Sequence, residues 1–84
     1  MATQTYRLAK RGDALQVDID EIGTEADTDA VVEAVEDETR SNGFELIRAT
    51  GRFLADPRPG TKRLLQRLGA IARRYGKRFD VGPI

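Results

Sequence analysis

The fold is decided by residues 6–19, which read YRLAKRGDALQVDI. Apolar side chains recur at every second position on either side of Arg11-Gly12-Asp13, which is the spacing of half-buried strands. A two-residue loop with glycine first suits a type II′ turn, so we predict a β-hairpin over residues 5–20. The register that this loop sets pairs Tyr6 with Ile19, Leu8 with Val17 and Arg7 with Asp18.

The first predicted helix spans residues 24–42. Thr24 suits the N-cap, and Gly43 is expected to end the helix in a left-handed conformation. Its inner face is predicted to hold Val31, Ala34, Val35 and Glu38.

The second predicted helix spans residues 61–75, with Thr61 as its cap and Gly76 as its stop. One stripe of this helix is apolar, which indicates that it packs on a core. The stripe consists of Leu64, Leu65, Leu68, Ile71, Ala72 and Tyr75.

Two further strands are predicted, at residues 44–54 and 77–82. The segment 44–54 has apolar residues on both faces, which favours a central strand. A turn at Thr50-Gly51 would instead split it into two strands of a ferredoxin-like βαββαβ core with an extra N-terminal strand. That alternative stays open at the level of sequence.

The predicted element order is ββαβαβ in a single domain that spans residues 1–84. Each helix has one apolar stripe and the hairpin has one apolar face. We therefore predict an α/β (α+β) two-layer sandwich with both helices on one face of the sheet.

The chain contains no histidine and no cysteine, which removes the commonest general base, the thiolate nucleophile and sulfur ligands for metals. An apparent calcium loop at Asp18 and Asp20 fails because Ile22 and Asp29 occupy positions that need other ligands. We predict no catalytic residues, no metal site, no cofactor and no enzymatic activity. The apolar runs are shorter than a membrane span, so we expect a cytoplasmic protein without a membrane partner.

Charge is divided between the two halves of a chain whose formal net charge is zero. Residues 1–38 hold 11 acids and three bases, whereas residues 39–84 hold three acids and 11 bases. Such asymmetry indicates either an external charged partner or two halves that fold against each other. The predicted basic face consists of Lys62, Arg63, Arg67, Arg73, Arg74, Lys77 and Arg78. The predicted acidic face consists of Asp29, Glu33, Glu36 and Asp37.

Residues 43–82 carry a family resemblance in three places: GFELIRAT at 43–50, LGAIARRYG at 68–76 and RFD at 78–80. This pattern resembles the C-terminal half of the regulator of ribonuclease activity B family. The resemblance implies a small α/β regulator that binds a ribonuclease or a similar large enzyme and performs no catalysis.

Two functions follow as hypotheses. The first is a non-catalytic regulator, an inhibitor or adaptor, that binds a nucleic-acid-processing protein such as a nuclease. The alternative is direct nucleic-acid binding through the basic face of the second helix. A homodimer joined along sheet edges also stays open.

Overall fold

The computed structural model describes residues 6–21, 25–55 and 59–82, with residues 25–27 described by their backbone alone. This part of the chain forms a small α+β domain with a four-stranded mixed sheet and two helices. The elements in chain order are β1 (Tyr6–Arg11), β2 (Ala14–Ile19), α1 (Glu25–Ser41), β3 (Leu46–Thr50), a 3-10 helix (Arg52–Ala55), α2 (Pro59–Arg74) and β4 (Arg78–Val81).

The strands lie side by side in the order β1-β2-β3-β4. β1 is antiparallel to β2, whereas β2, β3 and β4 run parallel to one another. The predicted hairpin register is confirmed, including the pair Arg7 and Asp18. Gly12 has φ of 59° and Asp13 has no positive φ, which is the backbone of a turn that demands glycine only at its first position. Both parallel connections advance across the sheet in the same direction.

One hydrophobic core lies between the helices and a single face of the sheet. Alternate residues of the inner strands face it, so Val17 and Ala49 are fully buried while Gln16 and Arg48 point to the other face. Residues from both helices join the same cluster. The buried members are Leu15, Val17, Ile19, Val31, Val35, Phe44, Ile47, Ala49, Phe53, Leu64, Leu68, Ile71 and Ala72.

The predicted strand over 44–54 is too long, because β3 ends at Thr50. Gly51 follows with φ of 116°, and the chain then turns into the 3-10 helix that buries Phe53. No second strand forms between Gly51 and Ala55, so the Thr50-Gly51 hairpin of the ferredoxin-like alternative is wrong. The central position predicted for this segment is confirmed, since β3 lies between β2 and β4.

Three predictions about helix α1 need correction or lie outside the described residues. Gly43 has no positive φ; instead the Asn42 side chain donates hydrogen bonds to the carbonyl oxygen and carboxylate of Glu38. Glu38 is therefore exposed at the helix end and does not belong to the inner face. Thr39 is buried there, with its hydroxyl donating to the Val35 carbonyl oxygen at 2.7 Å. The proposed cap at Thr24 lies outside the described residues.

Helix α2 begins at Pro59, two residues before the predicted start. Proline suits the first helical turn because a backbone N–H at that position would have no partner within the helix. Thr61 is thus not the cap but a buried residue within the helix, whose hydroxyl donates to the Phe53 carbonyl oxygen at 3.4 Å. The predicted end is confirmed: Gly76 has φ of 69°, and the Lys77 amide donates to Ala72 as in a Schellman motif.

The two helices of the described residues are too short or too polar to cross a lipid bilayer.

Candidate interaction surface

Helices α1 and α2 meet along a seam in which carboxylates of α1 face arginines of α2. Arg67 Nη1 donates to Asp29 Oδ1 at 2.6 Å, and Arg74 Nη1 donates to Glu36 Oε2 at 2.9 Å. Both pairs join residues that are 38 positions apart in the chain, so the two helices run in the same direction. The step between the pairs is about two helical turns on each helix. We call these four residues the charge seam.

The charge seam lies at the surface. The side chains of Asp29 and Arg67 are 60% and 38% exposed, and those of Glu36 and Arg74 are 28% and 70% exposed. Ion pairs with this exposure each stabilise a fold by about 0.2–1 kcal/mol. Their main effect here is therefore on the surface potential, because each arginine now has a carboxylate beside it.

The predicted acidic face of α1 is divided by the seam. Asp29 and Glu36 point towards α2, while Glu33 and Asp37 lie on the exposed side, away from the core. Asp37 accepts a hydrogen bond from Arg40 one turn later in the same helix. This hydrogen bond and the charge of Asp37 raise the pKa of the Arg40 guanidinium above its ordinary value.

The predicted basic face is divided as well. Arg67 and Arg74 belong to the seam, and Arg63 lies one turn earlier on the same flank of α2. Lys62 and Arg73 are exposed on the outer side of α2 and form no ion pair within the described residues. We call Lys62 and Arg73 the basic outer stripe of α2, and Glu33 and Asp37 the acidic outer stripe of α1, in which Asp37 is paired with Arg40. The charge seam lies between the two stripes.

The last two predicted basic residues lie elsewhere. Lys77 Nζ is 5.4 Å from the centroid of the ring of Phe44, a buried core residue, and makes a cation–π contact with it. Arg78 is exposed on β4 and lies in register with Leu46 on the face of the sheet opposite the helices. Neither residue continues the outer stripe of α2.

A second charged surface was missed by the sequence prediction, on the uncovered face and edge of the sheet. At its centre Arg48 Nη2 donates to Asp80 Oδ2 at 3.1 Å, while Arg48 Nε is buried without a hydrogen-bond partner. Along β1, the exposed residues Arg7, Lys10 and Arg11 form no ion pair within the described residues. The two-residue alternation of the hairpin sequence already puts Arg7 opposite Asp18 on the face without apolar side chains. That pattern is the signal that could have identified this surface.

The described side chains include no group of three or more His, Cys, Asp or Glu that could hold a metal ion. What the two surfaces offer is charge and hydrogen-bond donors on rigid elements, which suits recognition of another molecule. Comparison with protein-family models, with curated proteins and with solved structures finds no match.

Proposed function

We propose that this protein is a non-catalytic regulator that binds a protein partner through the outer stripes of α1 and α2. A nucleic-acid-processing protein such as a ribonuclease is the partner class we favour. The resemblance of residues 43–82 to the ribonuclease regulators supports that choice.

The observation that carries the proposal is the charge seam. Binding of a phosphate backbone is strongest on a surface of uniform positive sign, because nearby carboxylates repel the phosphates. Asp29 and Glu36 stand directly beside Arg67 and Arg74. Two cations of the basic face are thus paired with carboxylates. The charges that remain are Glu33, with Asp37 paired to Arg40, on the side of α1, and Lys62 and Arg73 on the side of α2.

A surface with two signs favours a protein partner over a nucleic acid. A partner with the opposite arrangement of charges would be oriented by both stripes at once. Incorrect orientations would bring like charges together and be disfavoured. This gives the domain a means of specific recognition that needs no pocket and no bound cofactor.

The test is affinity capture from extracts of the cells that make the protein, with and without nuclease treatment of the extract. We expect a partner that the wild type retains and that Glu33→Lys with Asp37→Lys loses. Both side chains are exposed, and the only described ion pair that these substitutions remove is the exposed one between Asp37 and Arg40, so the circular dichroism spectrum should be unchanged. Asp20→Lys with Glu21→Lys is the matched control, since it makes the same change in net charge at exposed residues outside the helices.

Two results would contradict the proposal. One is a captured protein that disappears after nuclease treatment, which would mean that nucleic acid bridges the contact. The other is equal loss of capture in the control and in the α1 variant, which would mean that net charge alone governs binding.

A further inference from the structure

The two edges of the sheet differ in how their backbone groups are occupied. On β4 the amides of Arg78 and Gly82 donate towards β3, so those of Phe79 and Val81 point to the open edge. The Val81 amide is already bonded, at 2.8 Å, to Oδ1 of Asp80. The same carboxylate holds Arg48 through its other oxygen. Asp80 therefore occupies one of the donors that another strand would need.

The edge at β1 has no such protection within the described residues. A two-residue hairpin closes on a hydrogen-bonded pair, here Arg11 with Ala14, so every second residue from Arg11 bonds to β2. The amides and carbonyls of Tyr6, Leu8 and Lys10 consequently point away from the sheet. None of these groups has a partner in the described residues. The strand is six residues long and contains no proline or bulge.

The side chains of β1 indicate which kind of strand could pair with this edge. Arg7 and Arg11 lie on the uncovered face of the sheet, two positions either side of the small residue Ala9. Tyr6 and Leu8 lie on the other face, where they are half-buried and pack against the core. Lys10 follows on the same face as Tyr6 and Leu8, next to the turn. A strand added to this edge would therefore find two arginines on one side, and two apolar groups and a lysine on the other.

We infer that β1 is a docking edge for an extended segment of a protein partner in which acidic and apolar residues alternate. Backbone hydrogen bonds to Tyr6, Leu8 and Lys10 would supply affinity, and carboxylates opposite Arg7 and Arg11 would set the register. A second copy of this chain is a poor occupant, because each β1 would bring three cations to the shared seam. The inference rests on the proposed function only in that the partner is a protein.

The experiment uses the full chain labelled with 15N and the acetylated, amidated peptide Ser-Glu-Val-Glu-Val-Glu-Ser. We expect the peptide to shift the amide signals of Tyr6, Leu8 and Lys10, and to slow their exchange with solvent. The matched peptide with lysine in place of glutamate should bind at least about tenfold more weakly, since like charges across a strand pair repel.

Reversing the charge of the two arginines tests whether they select the peptide. Arg7→Glu with Arg11→Glu should reverse the preference, so that the lysine peptide binds this variant better than the glutamate peptide does. Leu8→Pro removes one outward amide and no hydrogen bond to β2, but it also removes a side chain that packs against the core. A Leu8→Pro protein that keeps the wild-type circular dichroism spectrum should fail to bind the peptide. Arg7 and Arg11 are exposed, which keeps the charge variant informative even if Leu8→Pro fails to fold.

Three outcomes would overturn the inference: no shifts at millimolar glutamate peptide, equal binding of both peptides, or shifts of the β1 amides that depend on protein concentration alone. The last would identify a second copy as the occupant. Because this assay uses a defined peptide, its failure leaves the capture experiment on α1 unaffected. Conversely, loss of the capture result would refute the proposed function and leave peptide binding to β1 standing.

Discussion

If the carboxylates of the charge seam mask the arginines of α2, removing their charge should create a nucleic-acid-binding surface. The perturbation is Asp29→Asn with Glu36→Gln, which keeps the size of both side chains and frees Arg67 and Arg74. Loss of two exposed ion pairs costs about 0.4–2 kcal/mol in total. A domain of this length is stable by about 4–13 kcal/mol, so the variant should remain folded.

The expected change in the salt dependence of DNA binding follows from the number of freed cations. Each phosphate contact adds about 0.9 to the slope of log affinity against log salt for duplex DNA, so two contacts add about 1.8. Between about 50 and 200 mM salt, the affinity of the variant should therefore fall about 12-fold more than that of the wild type. Fluorescence anisotropy with a labelled duplex of about 20 base pairs measures both slopes.

The matched control is Asp20→Asn with Glu21→Gln, which changes the net charge equally and frees no arginine of the seam. Affinity and salt slope in the seam variant that equal those of this control would refute the masking argument. Such a result would mean that overall charge, and not the position of the carboxylates, keeps nucleic acid away.

Two half-buried glycines, Gly51 and Gly69, should respond to alanine in opposite ways. Gly51→Ala should lower the free energy of unfolding by at least about 2 kcal/mol in urea titrations. Alanine is strained at φ of 116°, and its Cβ would collide with the Ile19 carbonyl oxygen. A loss below about 0.5 kcal/mol would show that the backbone relaxes freely. Gly69→Ala should raise this free energy by about 1 kcal/mol, since Gly69 lies inside α2 and the added Cβ would sit 3.6 Å from the Phe79 ring, an ordinary contact. An unchanged or lower unfolding midpoint would contradict this second expectation.

Local patterns were enough to predict the hairpin and the second helix. The period of two around Gly12-Asp13 admits one register that puts Tyr6, Leu8, Leu15, Val17 and Ile19 on one face, and the structure has that register. The stripe of α2 is equally decisive, because Leu64, Leu68 and Ile71 can share a buried side only in a helix. In both cases the signal lies within about 16 consecutive residues.

Features that depend on distant residues were not predictable in the same way. The backbone of Ile19 approaches Gly51 closely just after β3 ends, and nothing in the local sequence indicates that approach. The charge seam depends on the parallel alignment of α1 and α2. The sequence alone therefore cannot decide whether the acids and bases pair with each other, whereas in the structure Asp29 pairs with Arg67 and Glu36 with Arg74.

Asp80 accepts hydrogen bonds from both Arg48 and the Val81 amide, and this limits how copies of the domain can assemble. Open-ended ribbons grow only when both borders of each unit can accept a neighbour. The β4 edge of the sheet is partly occupied by the Asp80 carboxylate, and the β1 edge carries positive side chains. Successive copies therefore have no complementary pair of edges along which to add. Strand addition in this domain would therefore stop after a single partner, which favours discrete complexes over fibres.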